Sequence, residues 1–176
     1  MKWTIDEDRR DVDLLDCSDS LRPLLEVLPV HPRGYDWDGI VKDNVPGPYR
    51  PGSVDFILET GGSIDFIEFK GGDICKPHIL ENLRMKAADT SLVFDRFFPS
   101  DGRGVEPFRH LIVVYSDDFG GFHTYHADPS RVVKILSKYA VRDVHGNRIY
   151  YDDVSLMTVP EFGLYLESRL PVEHAS

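Results

Sequence analysis

Apolar and polar residues alternate most regularly between Ser53 and Gly72, where SVDFILETGGSIDFIEFKGG reads as two short strands around a turn. Val54, Phe56, Ile57 and Leu58 fill the first arm and Ile64, Phe66, Ile67 and Phe69 the second. All are strand-favouring types, and Gly61-Gly62 is a favoured two-residue hairpin loop. With those glycines as the loop, Thr60 faces Ser63 and the register sets Asp55 opposite Glu68. Directly opposed Cβ atoms lie roughly 4.5–5.5 Å apart, close enough for two carboxylates to share one hard cation. Alternation puts Lys70 on the face of Glu68, with Val54, Phe56, Ile67 and Phe69 on the other.

Elsewhere the pattern predicts a mixed order of elements. Residues 1–17 are acidic and without clear period, an irregular arm or short start. Ser18-Asp19-Ser20 offers a cap for a helix whose Leu21, Leu24, Leu25 and Leu28 share one face, and Pro29 and Pro32 end it. His31 to Gly52 is rich in turn formers and reads as a long loop, in which only Gly39 to Lys42 suggests a strand. Its aromatics, Tyr35, Trp37 and Tyr49, either stack on unpaired bases or pin the loop to the core, and pinning is the commoner role. Lys76 to Phe97 is the longest predicted helix, with Leu80, Leu83, Ala87, Ser91 and Phe94 as its buried stripe. Leu111 to Tyr115 is the continuous apolar run of a central strand. Phe122 to His126 reads as an edge strand, and Pro129 opens a helix carrying Val132, Val133, Ile135, Leu136 and Tyr139. Val141 to Leu156 predicts a strand pair turning at His145-Gly146-Asn147, and Pro160 to Leu170 a last helix. Together these predict one domain over residues 1–176, an α/β sandwich with a mixed central sheet flanked by helices.

Composition narrows the class. No apolar stretch approaches a membrane span, and Met1-Lys2-Trp3 leads into acids rather than into an apolar signal segment. Cys17 and Cys75 have neither zinc-like nor redox spacing and read as reduced, inert thiols of a cytoplasmic protein. A net charge of −10 opposes binding to phosphate backbones. The acids crowd the N-terminus, however, while Lys70, Lys76, Arg84, Lys86, Arg96, Arg103 and Arg109 follow the hairpin. Interspersed acids bring that region near neutrality, so a basic groove there is local at most. His123 and His126, with Asp128 nearby, invite a zinc reading. On a strand, residues three apart face opposite sides, which leaves them as surface or packing histidines.

The hairpin cluster suits metal-assisted phosphodiester hydrolysis. Mg²⁺ is commonly held by one or two carboxylates with substrate phosphate and water. A lysine beside it orients the attacking water or offsets charge developing on the phosphate. The same residues also read as charges on the wet face of an ordinary hairpin, a pairing worth under about 1 kcal/mol.

Asp55, followed by Glu68-Phe69-Lys70 within apolar strands, resembles the PD-(D/E)XK nuclease superfamily. Val54 stands where that family usually has proline, although Pro51-Gly52 lie just upstream. Lys70-Gly71-Gly72-Asp73, followed by a helix, also resembles small bacterial and phage members, and the resemblance covers about Asp38 to Tyr115. It implies a restriction-endonuclease-like fold and a Mg²⁺- or Mn²⁺-dependent nuclease, with DNA favoured over RNA. Asp55, Glu68 and the backbone carbonyl of Phe69 would hold the metal, and Lys70 would act on the attacking water. Superfamily members often carry an acid on the first helix, which makes Glu26 a further candidate ligand; a solvated helix residue is its other reading. Lys76 and Lys86 are candidates for contacting nucleic-acid phosphate, or are simply solvated. A homodimer or a basic protein partner would supply the positive surface this chain lacks. The competing class is a non-catalytic acidic interaction or inhibitor module that keeps the fold.

Overall fold

Strand pairing starts from the Gly61-Gly62 turn, where both residues take positive φ, 50° and 92°. That is the type I′ combination, which side chains resist and which matches the twist of a hairpin. The computed structural model describes residues 10–17, 22–26, 28–45, 47–48, 50–71, 74–99, 106–116 and 129–170. Within it the arms of the hairpin are β3 (Phe56–Thr60) and β4 (Ser63–Lys70), paired from Phe56↔Ile67 to Thr60↔Ser63 as the turn dictates.

Four more strands extend the sheet on either side. β5 (Phe108–Tyr115) runs parallel to β4, and β6 (Asp153–Thr158) parallel to β5. β2 (Arg33–Asp36) pairs antiparallel with β3, and the short β1 (Val12–Asp13) antiparallel with β2. The resulting order is β1-β2-β3-β4-β5-β6, so β4 is where an antiparallel half meets a parallel one. Helices cover both faces, making the molecule α/β with a mixed sheet. On one face α2 (Trp37–Asn44), α3 (Pro77–Phe97) and α4 (Pro129–Ala140) pack over Ile57, Phe66, Leu111 and Val113. Phe66 is gripped edge-on by Phe94 at 5.1 Å and Tyr151 at 5.2 Å. On the other, a 3-10 turn (Leu14–Cys17), α1 (Arg22–Leu25) and α5 (Val159–Arg169) cover Phe56, Ile67, Phe69 and Ile112. No helix among the described residues is long and apolar enough to cross a membrane.

Several expectations need correction. The stretch from His31 to Gly52 is not a long loop, because it holds β2 and α2. Gly39 to Lys42 is helical rather than a strand: Asp36 caps the helix by accepting from the Gly39 N–H at 3.0 Å, and Trp37, Ile40 and Val41 are buried at helical spacing. Trp37 packs against Phe94 and Phe97 and Tyr35 against Phe98, so both pin this segment to α3; Tyr49 lies outside the described residues. Part of the acidic start is ordered, since β1 pairs with β2 and Leu14 is buried. Val54 joins the core under α3 instead of the opposite face. It precedes β3, and its N–H donates to Thr90 Oγ1 at 2.9 Å, which breaks the two-residue alternation there. The turn around Gly146 exists, but only an isolated bridge, Arg142↔Arg148, flanks it. The segment beyond it pairs parallel with β5, which offers a longer buried partner. The edge strand expected at Phe122 to His126, with both histidines and Asp128, falls outside the described residues.

Candidate active site

Three features bring the candidate residues together. Asp55 sits just before β3, and its backbone is tied on both sides: its N–H donates to the Ile67 carbonyl (3.1 Å) and its own carbonyl accepts from the Trp37 N–H (3.1 Å). Its carboxylate turns toward β4, where Oδ2 accepts from the Phe69 N–H at 2.7 Å. Glu68 and Lys70 lie on the same face of β4, two residues apart, with Lys70 Nζ 2.6 Å from Glu68 Oε1.

The third feature comes from α3. Residues 52–54 are stitched to this helix by Gly52 N–H to Asp89 Oδ2 (2.8 Å) and Val54 N–H to Thr90 Oγ1 (2.9 Å). A Cβ on Gly52 would lie 3.2 Å from the Lys86 Cα, so glycine is what lets the helix approach this closely. Lys86 therefore points into the cluster. Its Nζ donates to both Glu68 oxygens, at 2.8 and 3.0 Å, and lies 3.9 Å from Asp55 Oδ1. A single ammonium thus reaches both carboxylates, and the expected convergence of Asp55, Glu68 and Lys70 is observed.

This is not the wet face of a hairpin. The Glu68 side chain is 1% exposed, against 19–22% for Lys70, Asp55 and Lys86. Burial, and then the charge of Glu68, push the Asp55 carboxyl up to about 7. The carboxylates around Lys86 push its ammonium up in turn, Glu68 foremost, against the opposing effect of burial. The site is an acid pair held together by two cations.

The remaining candidates separate. Glu26 lies in the turn after α1, where Arg22 Nε approaches it at 3.6 Å with both side chains about half exposed. Lys76 is exposed at the N-cap of α3, and no ion pair among the described residues joins it to the carboxylates. The acid beside the cluster is instead Asp38, on the first turn of α2. It accepts from Ser53 Oγ at 2.6 Å, is paired with Lys42, and adds to the field on Lys86. The signal for it was the Asp36–Asp38 spacing at a helix start, hidden by the surrounding turn formers. Cys17 also lies in the reach of Asp36 and Asp55, and burial with these charges holds its thiol protonated.

Two neighbouring carboxylates are the donor type of a hard cation that keeps water ligands, and here both face the Lys86 ammonium, which occupies the place such an ion would take. Among the described residues no group of three or more His, Cys, Asp or Glu side chains is placed to hold a metal, so any ion here relies on water and substrate for the rest of its shell. Comparisons of the chain with family models, with curated proteins and with solved structures returned no match.

Proposed function

We propose that this chain is a metal-dependent nuclease of restriction-endonuclease-like fold that hydrolyses phosphodiester bonds, DNA before RNA. The observation that carries the reading is the convergence of Asp55, Glu68 and Lys70 at one end of a hairpin, on rigid backbone, with a second lysine above them.

Mg²⁺ or Mn²⁺ bound by Asp55, Glu68 and the Phe69 carbonyl would supply positive charge for the phosphate and a water of lowered pKa. The chain's own groups do the rest. The Phe69 N–H fixes Asp55 Oδ2, so Oδ1, now facing Lys86, would be the oxygen offered to a metal. Lys86, which now donates to both Glu68 oxygens, would give that carboxylate up to a cation and would then stand above the site, available to substrate phosphate. Lys70 stays at the edge of the acid pair, where it orients the attacking water and offsets charge on the phosphate in the transition state. A dimer or a basic partner would supply the wider positive surface that a net charge of −10 denies the monomer.

A second reading has its own support: Lys70 and Lys86 already satisfy Glu68, as they would in an acidic interaction module that never binds metal. Cleavage assays on single- and double-stranded DNA and RNA, with Mg²⁺ and Mn²⁺ titrated, separate the two. The nuclease reading expects metal-dependent cleavage and a metal midpoint that drops several-fold in Lys86→Met, because the competing ammonium is gone. No cleavage of any substrate by wild type or Lys86→Met, at any metal concentration, would favour the interaction module.

A further inference from the structure

The other face of β4 carries a buried acid that the first site does not use. Asp65 is fully buried, yet its Oδ1 has no hydrogen-bond partner. Its register partner on β5 is His110, and Ser155 on β6 is paired with Ile112, two residues further along. Alternation turns all three side chains toward α5.

Hydrogen bonding fixes where the protons lie. Tyr165 on α5 donates its hydroxyl proton to Asp65 Oδ2 at 2.8 Å, and a carboxylate can only accept. The Tyr165 oxygen must then accept at its 3.4 Å contact with His110 Nδ1, so Nδ1 carries the imidazole proton and faces Asp65 Oδ1 at 3.7 Å. Neutral His110 is left with a lone pair on Nε2, which lies 2.8 Å from Ser155 Oγ. Burial and the Asp65 carboxylate push the Tyr165 phenol up, so it keeps its proton and the assignment holds. Ser155 is thus bonded to His110, and His110 is joined to Asp65 through the Tyr165 hydroxyl, so the imidazole is oriented as a base toward the serine.

The network borders a cleft of about 380 Å³ beside the Gly61-Gly62 turn. His110 and Tyr165 line it with the exposed carboxylate of Asp153, half-exposed Phe108 as an apolar wall, and Arg169 as a cation that donates to Ser63 Oγ. Ser155 does not line the cleft itself; it is partly exposed and adjoins it through its bond to His110.

We propose that Ser155 is a nucleophile activated by His110 and positioned by Asp65 and Tyr165, and that the cleft takes a small carboxylic ester. Ser155 Oγ bonds to the carbonyl carbon as its proton passes to His110 Nε2, and Arg169 offsets the charge on the carbonyl oxygen. The ester C–O bond breaks, and the departing alcohol takes the proton from His110. Water then attacks the acyl group by the same route, releasing the acid and restoring the Ser155 hydroxyl. The site shares no residue with the carboxylate–lysine cluster, so either reading can fail without the other.

The test is covalent labelling of the full chain with a fluorophosphonate, located by peptide mass spectrometry. Modification of Ser155 is expected, at a rate that rises with pH, as for any nucleophile served by a general base. His110→Gln should slow labelling roughly 100-fold or more, the scale of a general base. Asp65→Asn, which keeps side-chain volume, should slow it roughly tenfold or more. An unmodified Ser155 in wild type would overturn the proposal. So would folded His110→Gln and Asp65→Asn labelled at the wild-type rate, which would leave a structural hydrogen-bond network only. Should both variants unfold, the wild-type pH profile decides, and a flat one counts against it.

Discussion

Asp65 and Glu68 stand three residues apart on one strand, both sealed from solvent, and they are compensated in opposite ways. Glu68 lies under α3 between two ammonium groups on long, flexible stems. Asp65 lies under α5, held by a tyrosine hydroxyl, with an imidazole and a guanidinium just beyond bonding distance. Ammonium ions act as compact point charges and can be displaced by a stronger cation. Hydroxyl and imidazole groups are directional, so they fix protons in place. The first environment therefore suits exchange of cations and the second suits holding and passing a proton. The pleat of β4 keeps them apart by sending odd and even residues to different helices.

The largest break in this comparison is Glu68→Ala. It leaves Lys86 and Lys70 facing each other without their shared counter-charge. Removing one partner of a buried pair costs roughly 3–5 kcal/mol, so the urea midpoint should fall sharply. A midpoint within error of wild type would show the cluster to behave like a surface pair.

Next in size is the response of the same cluster to pH. Asp55 titrates at about 7 in the folded chain, against about 3.9 when unfolded. The folded state thus keeps a proton that the unfolded state has released. This contribution to stability is complete below the unfolded value and is lost as pH rises through 7, at about 1.4 kcal/mol per unit of difference. Metal-free wild type should lose more stability between pH 5 and pH 8 than Asp55→Asn does, by melting in matched buffers. Parallel curves would remove Asp55 from the account. Divalent metal, which favours the ionised form, should raise Tm more at pH 8 than at pH 6.

Tyr165→Phe probes the other face with a smaller effect. Asp65 Oδ2 loses its donor, a change worth roughly 1–3 kcal/mol for a buried acceptor. Metal affinity at the α3 face should stay unchanged. A shift in that affinity would mean that the two faces are coupled through β4.

How much of this was legible in the chain depends on whether local pattern or packing decides the outcome. The hairpin was readable because Gly61-Gly62 permits one turn and the β-formers on either side then have one register. α3 was readable to within a residue, since its apolar stripe recurs at helical spacing over 21 residues. α2 was not, because eight residues amid prolines and glycines leave little period, and its stability comes from the Asp36 cap and Trp37 against α3. β6 was misassigned since Gly146 imitates a hairpin, and parallel pairing with β5 leaves no local mark. In the site, Asp55, Glu68 and Lys70 followed from alternation. The role of Lys86 did not, because it depends on how closely α3 crosses Gly52. Asp65 had a signal that alternation exposes: it shares a face of β4 with Ile67 and Phe69, where a charge must find buried partners.

The most direct test of the nuclease account compares wild type with Lys70→Ala at low salt, with Mg²⁺ titrated for both. Low salt matters because the net charge of −10 weakens nucleic-acid binding, and added salt weakens it further. Lys70 is assigned to the water and phosphate rather than to the cation. Cleavage should therefore fall roughly 100-fold or more, with the metal midpoint and the fold retained. Equal cleavage by the two proteins would show that the hydrolysis arises elsewhere, and the acidic cluster would then stand as part of an interaction module.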